Sequence, residues 1–289
     1  MLPGFALRKL VHSLKPLDSE VSAANSHVAT IRRRLESRLG VKRVVVIGSH
    51  ARRTAVRHFS DVDVMAILPR TEARWGGALV SPGTFLTKIG NQLRDRFVQT
   101  KVRTDGQAVV VHFGSSAQAV DVVPAVFLGF EAGRPVYRIP DSSGRWIETS
   151  PARHQRLFEV SSERSGGKLK GIAQLIRAWK YGRDPAIPLS SFYADLLLCK
   201  TDVASGVSSY GECLHAFFSH LARTDANGLR DPEGVAGIVA VAASPAARDR
   251  VKTAAKFARG HAEAALRAEA AGDFVEAVRQ WEIVFNRRL

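Results

Sequence analysis

The chain has 289 residues, 45% of them apolar and 24% charged, an ordinary globular balance that suits one large domain or two small ones. No apolar run reaches the roughly 18 residues that would span a membrane, and Met1 to Leu17 lacks the apolar core and small-residue cleavage site of a secretory signal. Two cysteines (Cys199, Cys213) and nine scattered histidines give neither a disulfide scaffold nor a zinc spacing, so a reducing cytoplasm is expected, while the net charge of +15 favours polyanions: nucleotides, nucleic acid or acidic surfaces.

In chain order, a helix is expected from about 18 to 39, with Asp18 as its cap and Gly40 after its end. Val44-Val45-Val46-Ile47 is a β-branched run and reads as a buried strand that stops at Gly48-Ser49. A second strand is expected over 61–68, with Val62, Val64, Ala66 and Leu68 on one face. Residues 82–98 carry Phe85, Ile89 and Leu93 at helical spacing. Two further strands, over 108–113 and 119–126, are joined by Gly114-Ser115-Ser116, which reads as a hairpin turn. Past Pro140 the texture changes: Asp141-Ser142-Ser143-Gly144 is a turn, and no strand signal follows Pro151. Helical patterns fall at about 168–181, 191–204, 212–223, 246–270 and 273–285. The expected fold class is α+β, with a mixed-sheet half over 1–149 and an all-helical half over 150–289. The long first helix is expected to pack across both.

The chemistry is concentrated where Ser60-Asp61-Val62-Asp63 enters the second strand. Residues two apart on a strand point to the same face, so Asp61 and Asp63 lie side by side. That face cannot be apolar core, because two unpaired buried carboxylates would be very costly. Adjacent carboxylates repel and raise each other's pKa unless a cation sits between them. A third, Asp121, interrupts the apolar strand Val120-Asp121-Val122-Val123-Pro124. Three carboxylates on adjacent strands can hold a metal pair about 3.5–4 Å apart, and magnesium is the ion that carboxylates and phosphates bind together. DxD pairs are also common in solvated turns, and glycine ends many strands. The competing reading of Gly48-Ser49 is close backbone approach and a grip on phosphate at a helix start.

These residues carry a resemblance. Gly48-Ser49-His50-Ala51-Arg52-Arg53-Thr54-Ala55-Val56, followed by Phe59-Ser60-Asp61-Val62-Asp63-Val64, resembles the nucleotide-gripping and metal-binding segment of the polymerase-β-like nucleotidyltransferases, and more narrowly of the bacterial cGAS/DncV-like enzymes. Asp121-Val122-Val123-Pro124-Ala125 is similar to the family's third-carboxylate strand, and Tyr137-Arg138-Ile139-Pro140 with Trp146 to its connecting segment. Leu175-Ile176-Arg177-Ala178-Trp179-Lys180, then Ser190-Ser191-Phe192, resembles its second-lobe helices, and Ala271-Gly272-Asp273-Phe274 with Trp281 and Phe285 its C-terminal end.

The resemblance implies a two-lobed synthase that joins nucleoside triphosphates into a cyclic di- or oligonucleotide and releases pyrophosphate, acting in bacterial anti-phage signalling. By match, Asp61, Asp63 and Asp121 hold two Mg2+ ions, with Mn2+ as the alternative. Gly48 and Ser49 bind the triphosphate, and Lys180 and Ser191 contact its distal phosphates. Apart from the match, Trp179, Tyr181, Phe192 and Tyr193 are aromatics that could stack on a base, although aromatics at helical spacing are more often core, and Tyr193 is taken as the stacker. Without the match, Lys180 reads as a solvated helix lysine and Ser191 as a helix cap. The family usually has glycine where Arg53 stands, which puts the loop's conformation in question. Ser161 and Ser162, in the segment where relatives place a base-contacting residue, lean towards purines and hence ATP or GTP. The implied partners are nucleoside triphosphates, a nucleic-acid activator suited to the basic charge, and accessory defence proteins. A terminal nucleotidyltransferase acting on RNA or another acceptor would share the same metal site. A catalytically dead RNA-binding module would be expected to lack a carboxylate, and all three are present.

Overall fold

The computed structural model describes residues 2–75, 77–113, 118–141, 143–206, 208–223 and 228–289. They fall into two units, Pro16–Gln155 and Met1–Lys15 with Arg156–Leu289. The division expected at 149/150 thus lies at 155/156, and the first fifteen residues, as helix α1 (Pro3–Leu14), join the helical unit.

The sheet unit runs α2 (Asp18–Leu39), β1 (Arg43–Val46), α3 (Gly48–Arg52), β2 (Val62–Leu68), α4 (Arg70–Ala73), β3 (Arg74–Trp75), β4 (Ala78–Leu79), α5 (Pro82–Arg96), β5 (Lys101–Asp105), β6 (Ala108–His112), β7 (Ala119–Glu131), β8 (Arg134–Pro140) and β9 (Trp146–Thr149). Its main sheet has the order β1-β2-β7-β6-β5, and β8 pairs with the far half of β7 and with β9. Among the described residues only β2 and β7 pair in parallel, so the sheet is mixed as expected. The hairpin turn expected at 114–116 lies outside the described residues, but the flanking strands pair antiparallel with His112 opposite Ala119.

Alternation along the strands sorts the side chains. Val62, Val64, Ala66 and Leu68 of β2, with Val109, Val111, Val120 and Val122, pack beneath Val28, Ile31 and Leu35 of α2 and Phe85, Ile89 and Leu93 of α5. Met65 and Ile67 pack on the opposite face with Val123, Ala125, Tyr137 and Ile139. Burying each such side chain contributes about 1.5–3 kcal/mol, so the register is strongly held. A slip of one residue would turn Asp63 into the α2–α5 core. Helix α2 belongs wholly to the sheet unit. Its N-cap is Leu17 rather than Asp18: Glu20 reaches back to accept the Leu17 amide at 2.7 Å. Gly40 ends the helix in the left-handed conformation at φ 57°.

The helical unit holds α1, then α6 (Pro151–Arg164, which contains the division), α7 (Lys168–Tyr181), α8 (Ser191–Thr201), α9 (Tyr210–Arg223), the short ladder β10 (Leu229–Arg230) and β11 (Ile238–Val239), α10 (Pro245–Ala270) and α11 (Phe274–Phe285). Trp281 and Phe285 form the expected packing pair, with rings 6.3 Å apart and both side chains fully buried. Among the described residues no helix is long and apolar enough to cross a membrane.

Candidate active site

The parallel ladder between β2 and β7 sets Asp63 directly beside Asp121, one strand spacing away. Asp61 lies two residues before Asp63, on the same side, and its Oδ1 accepts the Ala119 amide of β7 at 3.1 Å. All three carboxylates therefore occupy one end of the sheet face that α2 and α5 leave uncovered. Among the described residues no three acidic, histidine or cysteine side chains form a ready-made metal cage. Magnesium does not require one, since it is usually held by one or two carboxylates with phosphate and water completing the shell.

Gly48 abuts this cluster. Its φ of +66° is a left-handed conformation, and a Cβ built there would stand 2.1 Å from Asp63 Oδ2. Glycine is thus required twice, by backbone angle and by space. The Ile47 amide donates to the Asp63 carbonyl at 2.9 Å and ties the bend to β2. Ser49 is buried, and its carbonyl accepts the Thr54 amide at 2.9 Å, closing the α3 turn. Arg53 caps α3 in the left-handed region at φ 57° and ψ 40°. The bend thus keeps the left-handed conformation that favours glycine, and here arginine bears the strain with its side chain exposed.

Burial, then Asp63, Asp61 and Asp105, push the Asp121 carboxyl up from 3.8 to about 7, with Arg103 opposing. Desolvation also raises Asp61, against the Ala119 amide, His112, Arg103 and His50. Asp121 Oδ1 is buried without a hydrogen-bond partner. An acceptor-only oxygen in that position, flanked by two further carboxylates, fits a divalent cation. The sign of the linkage follows. Ionised Asp121 disfavours the fold, so its penalty is absent below pH 3.8, grows as the pH rises and is complete above about 7. Asp121→Asn should therefore stabilise the metal-free protein at pH 8 by about 2 kcal/mol, after discounting for water access, and much less at pH 4. Urea denaturation in the presence of a chelator at the two pH values checks this.

Residues 1–160 match the family model described as the Second Messenger Oligonucleotide or Dinucleotide Synthetase domain, which is more than half of the chain. The chain belongs to this family. A cyclic AMP-AMP-AMP synthase of Escherichia coli is 29% identical to this synthetase-family chain over 64% of its length and 58% of the relative's. The chain thus aligns with less than two thirds of that relative. A probable cyclic nucleotide synthase of Bacillus cereus is 22% identical over 85% of this chain and 81% of its own. The solved structure of Escherichia coli CdnC with ATP superposes with a TM-score of 0.75 at 22% identity, covering 99% of this chain and 98% of that one, and so bears out the expected fold, a mixed sheet with a helical second part.

In the helical unit of this synthetase-family chain, Lys180 Nζ donates to Ser191 Oγ at 3.2 Å. Ser191 is not the helix cap: Ser190 fills that role by accepting the Tyr193 amide at 3.2 Å. Burial, then Arg177, push the Lys180 ammonium down to about 8, with Asp195 opposing. A buried ion pair, Arg177–Asp195 at 2.8 Å, anchors α7 to α8 beside it. A half-buried lysine with a hydroxyl partner is not the solvated helix lysine that local sequence suggests.

Tyr193 is a correction. It is 1% exposed, inside the helical core, and presents no ring face to a base. Ser161 and Ser162 are likewise buried within α6, so they carry no lean towards purines. His50 is the site residue that sequence reasoning passed over. Its Nε2 is buried without a partner, and the ring is coupled to Asp61. Burial lowers its pKa, against the Ser60 carbonyl and Asp61. Its place between the Gly-Ser bend and Asp61 was the available signal.

Proposed function

We propose that the chain joins nucleoside triphosphates into a cyclic di- or oligonucleotide, with ATP or GTP as substrates on the strength of the relative named a cyclic AMP-AMP-AMP synthase and the similar structure solved with ATP, and no longer of Ser161 and Ser162. The register that sets Asp63 beside Asp121 at a glycine-serine bend is the observation that carries this reading. A hydroxyl oxygen of one nucleotide attacks the α-phosphorus of another, the bond to the β-phosphate breaks, and pyrophosphate leaves; a second round closes the ring. Asp61, Asp63 and Asp121 would hold two Mg2+ ions, or Mn2+ in their place. Bound there, the ions would lower the pKa of the attacking hydroxyl and offset the charge of the leaving pyrophosphate. Gly48 lets the backbone approach the triphosphate, and Ser49 contacts it. Lys180 supplies a point charge for the distal phosphates, with Ser191 orienting its ammonium. The family match and the synthase named among the relatives support cyclisation over transfer to an outside acceptor.

Incubating the protein with labelled ATP and GTP, magnesium and no added acceptor tests this. Phosphatase-resistant products identified by mass spectrometry are expected. Products that form only when an RNA or other acceptor is added would assign the chain to terminal transfer instead.

A further inference from the structure

Two rows of side chains run from the carboxylates to the edge strand β5. In the first, Asp63 pairs with Asp121, Asp121 with Val110, and Val110 with Arg103. In the second, Ala119, whose amide binds Asp61, pairs with His112, and His112 with Lys101. Val102, Val109 and Val111 point into the α2–α5 core, so their alternates Lys101, Arg103, Asp105, Val110 and His112 lie on the carboxylate face. The acidic cluster is therefore flanked asymmetrically. On the β1 side stands the Gly48-Ser49 bend, and on the β5 side, beyond one small valine, a ledge of Lys101, Arg103 and His112 in which Asp105 is the single acid, paired with Arg103.

Arg103 is the centre of that ledge. Its Nε donates to His112 Nε2 at 3.4 Å, and its Nη1 pairs with Asp105. These contacts hold the guanidinium while Nη2 takes part in neither, and the side chain is 46% exposed. A guanidinium fork fits phosphate oxygens, two at a time.

We propose that Arg103, steadied by Asp105 and flanked by Lys101 and His112, binds the 5′-phosphates of the accepting nucleotide. This rests on the proposed synthase reaction and deepens it. If the donor triphosphate lies over the Gly48-Ser49 bend, the second substrate must approach from the other side. It brings its own triphosphate towards three carboxylates, and like charge there needs a cation to offset it. The ledge is the cationic feature that the sheet register sets on that side.

The test separates acceptor from donor. A 2′,3′-dideoxynucleoside triphosphate serves as a donor that cannot accept, and the acceptor is either a nucleoside triphosphate or the matching nucleoside. Wild type should prefer the triphosphate acceptor at least about tenfold in kcat/KM, as expected for a charge-assisted contact. Arg103→Ala should bring that preference close to one with kcat/KM for the nucleoside unchanged, and Arg103→Lys should retain part of it. A loss equal for both acceptors, or no loss, overturns the proposal, because a merely structural role would not discriminate. If the nucleoside is too poor an acceptor to measure, KM for the acceptor triphosphate must rise about tenfold in Arg103→Ala while KM for the donor holds. Calorimetric titration with the dideoxy compound and magnesium gives a readout without turnover: two sites in wild type, and in Arg103→Ala one site unchanged and the other weakened about tenfold. Two equal sites in both proteins overturn the proposal. Transfer by wild type to neither acceptor would instead overturn the synthase reading itself.

Discussion

Replacing Asp61 and Asp63 together by alanine should abolish nucleotidyl transfer, by at least about a thousandfold, and leave the fold intact. Preorganised electrostatic stabilisation is commonly the largest catalytic contribution, and losing one such contact already costs about a hundred- to a thousandfold. Two ligand carboxylates go at once here. The fold should survive because Asp61 is exposed and Asp63 only half-buried, while β2 is held by Val62, Val64, Ala66 and Leu68 in the opposite core. Both aspartates also push the Asp121 carboxyl upwards, so their removal should leave the metal-free protein no less stable at pH 8 than wild type. Pyrophosphate release and thermal denaturation on the same preparation check both halves. Near-normal turnover in the double variant would refute the assigned site.

Gly48→Ala is the second large effect, and its cause is geometric. The new methyl would stand 2.1 Å from Asp63 Oδ2 and 2.9 Å from its Cγ, so the carboxylate or the bend must move. An alanine at φ +66° adds backbone strain of about 1–2 kcal/mol. Turnover should fall at least about a hundredfold, since displacements near 1 Å at a reacting centre have effects of that size. Gly133→Ala supplies the control. It shares a left-handed φ of +71° with nothing within 4 Å of the added carbon, so it should lose comparable stability and keep its activity. Equal activity loss in the two variants would show that strain, rather than the clash with Asp63, is responsible.

The sheet end that carries the carboxylates was legible because its strands alternate. Apolar residues of β2 and β7 point to the cores, so an aspartate that breaks the pattern marks the functional face. Strand β5 left no such trace: only Val102 packs inward, and the other four residues are exposed. An edge strand with one core residue resembles a loop, which is why the ledge around Arg103 becomes visible only through its register with β6. Strand β8 carries prolines at both ends, Pro135 and Pro140, and these hid its pairing. Helix α1 is amphipathic, with Leu7, Leu10, Val11 and Leu14 buried, yet nothing in that pattern assigns it to a unit that resumes at Arg156.

Tyr193 was misplaced for a different reason. Helix α8 buries seven consecutive residues, Tyr193 to Cys199, so it has no polar face along most of its length and periodicity cannot tell a core aromatic from one facing a ligand. The resemblance supplied Lys180, which composition alone would have left on the surface. The Lys180–Ser191 contact is tertiary, formed because α8 begins at Ser191 after a Ser190 cap.

Anomalous diffraction from crystals grown with Mn2+ and a non-hydrolysable ATP analogue tests the central claim most directly. Two metal peaks about 3.5–4 Å apart are expected, bound by Asp61, Asp63 and Asp121, with the triphosphate against Gly48 and Ser49. A bound analogue whose metals sit elsewhere, leaving those three carboxylates untouched, would contradict the account.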